Sequence, residues 1–155
     1  MGIGPSTKET SLHYFRDPVA ELLAEDEDSD FVGVIVVGTP QDNKQKHLVG
    51  QRTALLLKAM DVVGAVVSSD GWGNSDIDFV NMIDKIEDEA ILTVGLKFIG
   101  KQASFVVQPQ SKTTIFDINK SVQGRETQVV GENAIDVSDA RKALAALKIK
   151  CNHKE

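Results

Sequence analysis

Three short runs of β-branched and apolar residues, Phe31–Val37, Ala65–Ser69 and Ile91–Leu96, alternate with two segments of helical periodicity. Strands joined by a helix cannot pair as a hairpin. The crossover makes them parallel neighbours with right-handed connections. The run Phe31–Val37 is too short for a helix and bounded by turn residues, so it reads as a strand buried on both faces. From Leu48 to Val63 the apolar residues Leu48, Leu55, Leu56, Ala59, Met60 and Val63, with the stem of Arg52, fall on one helical face, expected to be buried. A second helix is expected from Asp76 to about Asp88, with Ile77, Val80, Ile83 and Ile86 as its stripe and Phe79 and Met82 alongside. The pattern β-α-β-α-β predicts an α/β protein, a three-layer sandwich around a mainly parallel sheet.

The flanks read differently. Residues 1–12 are small, polar and expected to be mobile, and Leu12, Tyr14 and Phe15 form a small apolar patch. Asp17 can cap a short helix that starts at Pro18 and carries Val19, Leu22 and Leu23. Glu25–Asp30 is an acidic run, unfavourable at a helix carboxyl end, and reads as a solvated linker. Residues 1–30 are therefore expected to be a flexible arm and residues 31–150 a single α/β domain. Beyond Gly100, Ser104–Gln108, Thr113–Ile118 and Thr127–Val130 read as short β segments, an antiparallel extension or a flap. They make up a β-rich C-terminal extension. Asp136 caps a last helix, Val137–Lys148, with Ala140, Leu144 and Leu147 as its stripe.

A chain of 155 residues can bury a core without metals or disulfides. Its formal charge of −6 and its lack of a basic run argue against a nucleic-acid surface. No apolar run reaches membrane-spanning length, and the N-terminus has no signal-peptide pattern, so no membrane partner is expected. The single cysteine, Cys151, rules out a disulfide framework within the chain and fits a reducing cytoplasm. It is expected on a polar, lysine-rich tail.

The chemistry gathers after the second strand. Gly71-Trp72-Gly73-Asn74-Ser75-Asp76 is a glycine-rich turn at the carboxyl end of a strand, where α/β proteins place ligands. Asn74 or Ser75 can cap the helix that follows. The turn lacks the third glycine of a dinucleotide fingerprint and the Gly-Lys-Ser/Thr of a P-loop, and Asp70, Asp76 and Asp78 would repel a phosphate. Trp72 suits a pocket lid or an interface anchor. Lys97, at the end of the third strand, points toward the same crevice or into solvent. Asn119, Lys120, Glu132 and Asn133 stand in polar turns further on. His13, His47 and His153 are isolated from one another, and no ligand spacing for a metal is present. No catalytic residue, metal or cofactor is assigned.

The segments Ser69–Phe79, with its Gly-x-Gly-Asn turn, and Ala90–Leu96, of the Ile-x-Thr-Val kind, resemble a known family. They are similar to the substrate-specific components of the glycine, sarcosine and betaine reductases and of D-proline reductase. Asp117-Ile118-Asn119-Lys120 and Val129-Val130-Gly131-Glu132-Asn133 look most like the D-proline reductase branch. The resemblance runs from Phe31 to Ile149. It implies amino-acid fermentation in an anaerobic bacterial cytoplasm, within a multi-subunit selenoprotein enzyme. There the substrate amine forms a Schiff base with a pyruvoyl group made by self-cleavage at a cysteine. A selenolate on another subunit then attacks the α-carbon and the C–N bond is reductively cleaved.

This chain departs from that pattern. It has no selenocysteine and no cysteine before Cys151, which only four residues follow. The expected function is an accessory subunit of a D-proline or related amino-acid reductase, not catalytic alone. Its expected partners are the selenoprotein and pyruvoyl subunits, in a homo- or hetero-oligomer. The alternative is an amino-acid-binding module or enzyme that uses the Gly71–Asn74 crevice. For either role the expected ligand contacts are Gly71, Trp72, Gly73, Asn74, Asp78 and Lys97.

Overall fold

A computed structural model describes residues 17–69, 73–101, 107–110, 112–125, 132 and 134–152. In chain order the elements are α1 (Pro18–Glu25), α2 (Asn43–Ala59), β1 (Gly64–Ser69), α3 (Asn74–Asp88), β2 (Leu92–Lys97), β3 (Thr114–Asp117) and α4 (Val137–Asn152). The strands form one sheet in the order β1-β2-β3. β1 and β2 are parallel, with Gly64 opposite Leu92 and Ser69 opposite Lys97, as two strands bridged by a helix must be.

Helices cover both faces. On one face Val94, Leu96, Phe98 and Ile118 of the sheet region pack with Ala143 and Leu147 of α4, and Val19 of α1 and Val66 join them. On the other, Ala54 of α2 and Met82 and Ile86 of α3 pack with Ile91, and Val67 joins them. Neighbouring residues Val66 and Val67 thus point to opposite layers, as the two-residue strand period requires. α3 carries the expected stripe: Phe79, Val80, Met82, Ile83 and Ile86 are buried and Ile77 is half-buried. Each large side chain fully buried here is worth about 1.5–3 kcal/mol. α3 sits close to the sheet because Gly95 lets it. A Cβ at that position would lie 2.8 Å from Phe79 Cζ and 3.0 Å from Ile115 Cγ1. The caps at Asp17, which accepts from Val19 N at 2.9 Å, and at Asp136, which accepts from Asp139 N at 2.9 Å, form as expected.

Several expectations are corrected. Phe31–Val37 is not a strand. Val32, Val34 and Val36 are exposed, and the run and β1 line one cavity of about 800 Å³. An apolar run signals a preference for burial, and strand formation also needs a ladder to join. α2 begins earlier than expected, at Asn43 behind an Asp42 cap. Its expected buried stripe faces outward: Leu48, Leu55, Leu56 and Met60 are exposed, while Lys46, Gly50 and Ala54 face inward. Backbone closeness decides this, since a Cβ on Gly50 would lie 2.2 Å from Asn81 Nδ2.

The segment around Thr113–Ile118 is neither antiparallel nor a flap. β3 joins β2 in parallel, Val94 opposite Thr114 and Lys97 opposite Asp117. Thr113 Oγ1 pins its start by donating to Thr93 O (2.7 Å), and it also lies against Glu87. The Asp117 carboxylate holds its end by accepting from Ile99 N (2.9 Å) and Gly100 N (3.0 Å). The acidic run is not wholly solvated, for Asp26 and Asp28 pair with Lys148 of α4 at 2.5 and 2.9 Å. Cys151 is not on a loose tail; it lies in α4, half-buried against the core. Residues 1–12, the patch at Leu12, Tyr14 and Phe15, the segment Thr127–Val130 and most of Ser104–Gln108 lie outside the described residues. No described helix is long and apolar enough to cross a membrane.

Candidate functional site

The carboxyl ends of β1 and β2 meet the first turn of α3. The turn opens on Gly73, the N-cap, at φ +72°, a backbone conformation that glycine adopts without strain. This displaces the expected cap: Asn74 and Ser75 are already helical. The cap is closed from inside the helix instead. Gly73 N–H donates to Asp76 Oδ2 at 3.2 Å.

Asp76 is 1% exposed, and its Oδ1 lies 3.1 Å from the Nζ of Lys97, which is wholly buried at the end of β2. The ammonium also lies 3.3 Å from Ser75 Oγ and 3.5 Å from Ser69 Oγ, and 5.2 Å from the centre of the Phe79 ring. A cation in such a place needs compensation, and the carboxylate, the hydroxyls and the ring supply it. The positive end of α3 favours Asp76 in turn.

A second pair, buried on its lysine side, lies two residues further along α3. Lys46 of α2, its side chain fully enclosed, pairs with Asp78. Asn81 Nδ2 donates to the Lys46 carbonyl at 3.0 Å, and its Oδ1 meets His47 Nδ1 at 2.7 Å. Asn74 Nδ2 reaches Gln41 Oε1 at 3.0 Å. Two lysines from different elements therefore hold two aspartates at the start of α3, Asp76 in its first turn and Asp78 just beyond it.

Of the residues singled out from sequence, Gly73, Asn74, Asp78 and Lys97 come together here. Gly71 and Trp72 lie outside the described residues, as do Asp70, His13, His153 and Asn133. Lys97 is not a surface lysine; it is buried at the end of β2. Lys120 lies elsewhere, its Nζ donating to Ala134 O (2.7 Å), Ile118 O (3.1 Å) and Asp139 (2.6 Å). Asn119 caps the same turn, accepting from Ser121 N at 3.1 Å. Sequence reasoning missed Lys46, Ser69, the contact of Ser75 with Lys97 and the pairing role of Asp76. The available signal was a pair of aspartates near the start of a helix that had to lie against a sheet. No group of three potential metal ligands occurs among the described residues.

Comparison with known proteins gives a consistent result. The family model described as glycine/sarcosine/betaine reductase component B subunits matches residues 2–113. The D-proline reductase proprotein PrdA of Acetoanaerobium sticklandii is 38% identical over 146 residues, 94% of this chain and 23% of that protein. The betaine reductase complex component B subunit alpha of Peptoclostridium acidaminophilum is 37% identical over 67 residues, 43% of this chain and 15% of that one. The glycine reductase complex component B subunits alpha and beta of the same organism are 36% identical over 86 residues, 55% of this chain and 20% of theirs. The chain thus spans less than a quarter of the length of each of these relatives. No solved structure matches.

Proposed function

We infer function from a plain premise: this chain belongs to the family of glycine/sarcosine/betaine reductase component B subunits. On that premise it acts as an accessory component of a cytoplasmic amino-acid reductase of the D-proline type, and it does not itself carry the carbonyl electrophile. Its partners are the selenoprotein and pyruvoyl-bearing subunits of such a reductase. The likeness to the D-proline reductase proprotein along 94% of the chain supports that branch.

The observation that carries the non-catalytic reading is the setting of Cys151. Pyruvoyl formation by self-cleavage begins when a cysteine thiol attacks the carbonyl carbon of the residue before it, and the peptide unit must distort to allow this. Planar geometry resists such distortion, at about 1 kcal/mol for a ~12° twist and steeply more beyond it. Here the Lys150–Cys151 peptide is part of α4. Lys150 is anchored through its Nζ, which donates to Thr93 O at 2.7 Å and to Thr113 Oγ1 at 3.1 Å. The thiol side is packed against the Leu96–Leu147 core. Helix, anchor and core all oppose the attack.

Co-expression with the subunits of a D-proline reductase tests the reading. The tagged chain is expected to retain the selenoprotein and pyruvoyl subunits through purification. Elution of the tagged chain alone, while the remaining subunits assemble and turn over at the full rate without it, would contradict it.

A further inference from the structure

The outward face of α2 has no described element packed on it. Leu48, Leu55, Leu56 and Met60 are 41%, 48%, 48% and 39% exposed. They lie on two neighbouring ridges of i, i+4 spacing, Leu48-Arg52-Leu56-Met60 and Gln51-Leu55-Ala59. Such an apolar face on a soluble helix marks an interaction surface.

We propose that this face docks a second copy of the same chain, with the two α2 helices antiparallel about a two-fold axis between Leu55 and Leu56. The arrangement of residues supports this occupant. Reversing the helix about that midpoint sets Leu55 against the partner's Leu56, Met60 against the partner's Gln51, and Arg52 against the partner's Ala59. Leucine meets leucine at the centre, and the one charged residue on the ridges meets a small one. The contact is isologous, so each match occurs twice.

Charge fits the same pairing. Helical side chains lean toward their own N-terminus. In an antiparallel pair Arg52 therefore leans toward the carboxyl end of the partner's helix, where the last carbonyls and the partner's Asp61 lie. A guanidinium is favoured at that end. Arg52 and Asp61 are both exposed, and neither side chain has an ion-pair partner among the described residues. The alternative parallel arrangement would set Arg52 beside its own copy. Leu48 to Met60 spans about 18 Å of helix, less than a standard interface of ~800 Å² per partner requires. The exposed Val32, Val34 and Val36, across the cavity that Met60 helps to line, add apolar area next to it. The expected dimer is accordingly of micromolar strength.

Sedimentation equilibrium of the full chain, from micromolar to submillimolar concentration, tests the proposal. The expected result is reversible assembly to twice the 16.8 kDa chain mass. Leu56→Glu, at an exposed position, is expected to weaken assembly by about a hundredfold or more while leaving circular dichroism and the melting temperature unchanged. Arg52→Glu is expected to weaken it less, and the loss is expected to fade at high salt. A wild-type chain that stays monomeric throughout would overturn the proposal and leave the face to a different subunit. So would a dimer that survives Leu56→Glu intact.

Discussion

Lys97 and Asp76 show what a single pair of residues decides here. Both are buried, and each helps to compensate the other for leaving water. Removing one partner leaves the other buried charge less well compensated. Lys97→Met is therefore expected to destabilise the fold by about 3–5 kcal/mol, and adding Asp76→Asn to recover most of that loss. Urea unfolding of the two variants checks it; a single variant as stable as the wild type would mean that the pair is hydrated. That Lys97 ends a strand was legible, because the apolar run Ile91–Leu96 stops on it. Its burial was not legible. Hydrophobic periodicity says nothing of a lysine, and its carboxylate partner belongs to another element. The cap at Gly73 was missed for a related reason. Asn74 and Ser75 have the usual capping chemistry, but a left-handed glycine before them moves the helix start and leaves them inside it.

Elements were easier to find in the sequence than to orient. The periodicity of α2 identifies a helix correctly and selects the wrong face for burial. A stripe of leucines shows that a helix is amphipathic, not which neighbour its backbone can approach. Gly50 and Ala54 permit that approach to α3, and they carry little hydrophobic signal. Phe31–Val37 is a parallel case, since β-branched composition cannot report whether a ladder partner is within reach. The arm is joined to α4 through charge. The hydrogen bond from Lys148, and then that from Ser29, hold the Asp26 carboxyl below its usual range. Hydrogen bonds to Asp26 and then Asp28 raise the Lys148 ammonium above its own. The sign follows from linkage. The Asp26 contribution is complete above its unfolded pKa of about 3.9 and fades as pH falls through the lower folded value. The Lys148 contribution is complete below about 10.4 and fades as pH rises through the higher folded value. The melting-temperature gap between wild type and Lys148→Met is thus expected to be flat through neutral pH and to close in strong acid. A gap that persists unchanged at pH well below Asp26's folded pKa would contradict the pairing. Because both groups are solvent-accessible, the gap itself is expected to be small.

For the molecule as a whole, the alternation of strands and helices was enough to establish the α/β class and the parallel β1–β2 pair. It was not enough to place β3, whose four residues are set by the Thr93–Thr113 contact and by the Asp117 carboxylate. Family membership was legible in the Ser69–Phe79 and Ala90–Leu96 segments, which fall on β1, α3 and β2. The proposed separation from pyruvoyl-bearing subunits turns on Cys151, the chain's one cysteine, and on the helix that holds it. Intact-mass spectrometry of the purified chain, before and after treatment with phenylhydrazine, tests that separation directly. A single species at the mass of the uncleaved polypeptide, unchanged by the reagent, is the predicted result. A hydrazone adduct, or a product cleaved at the Lys150–Cys151 bond, would contradict it.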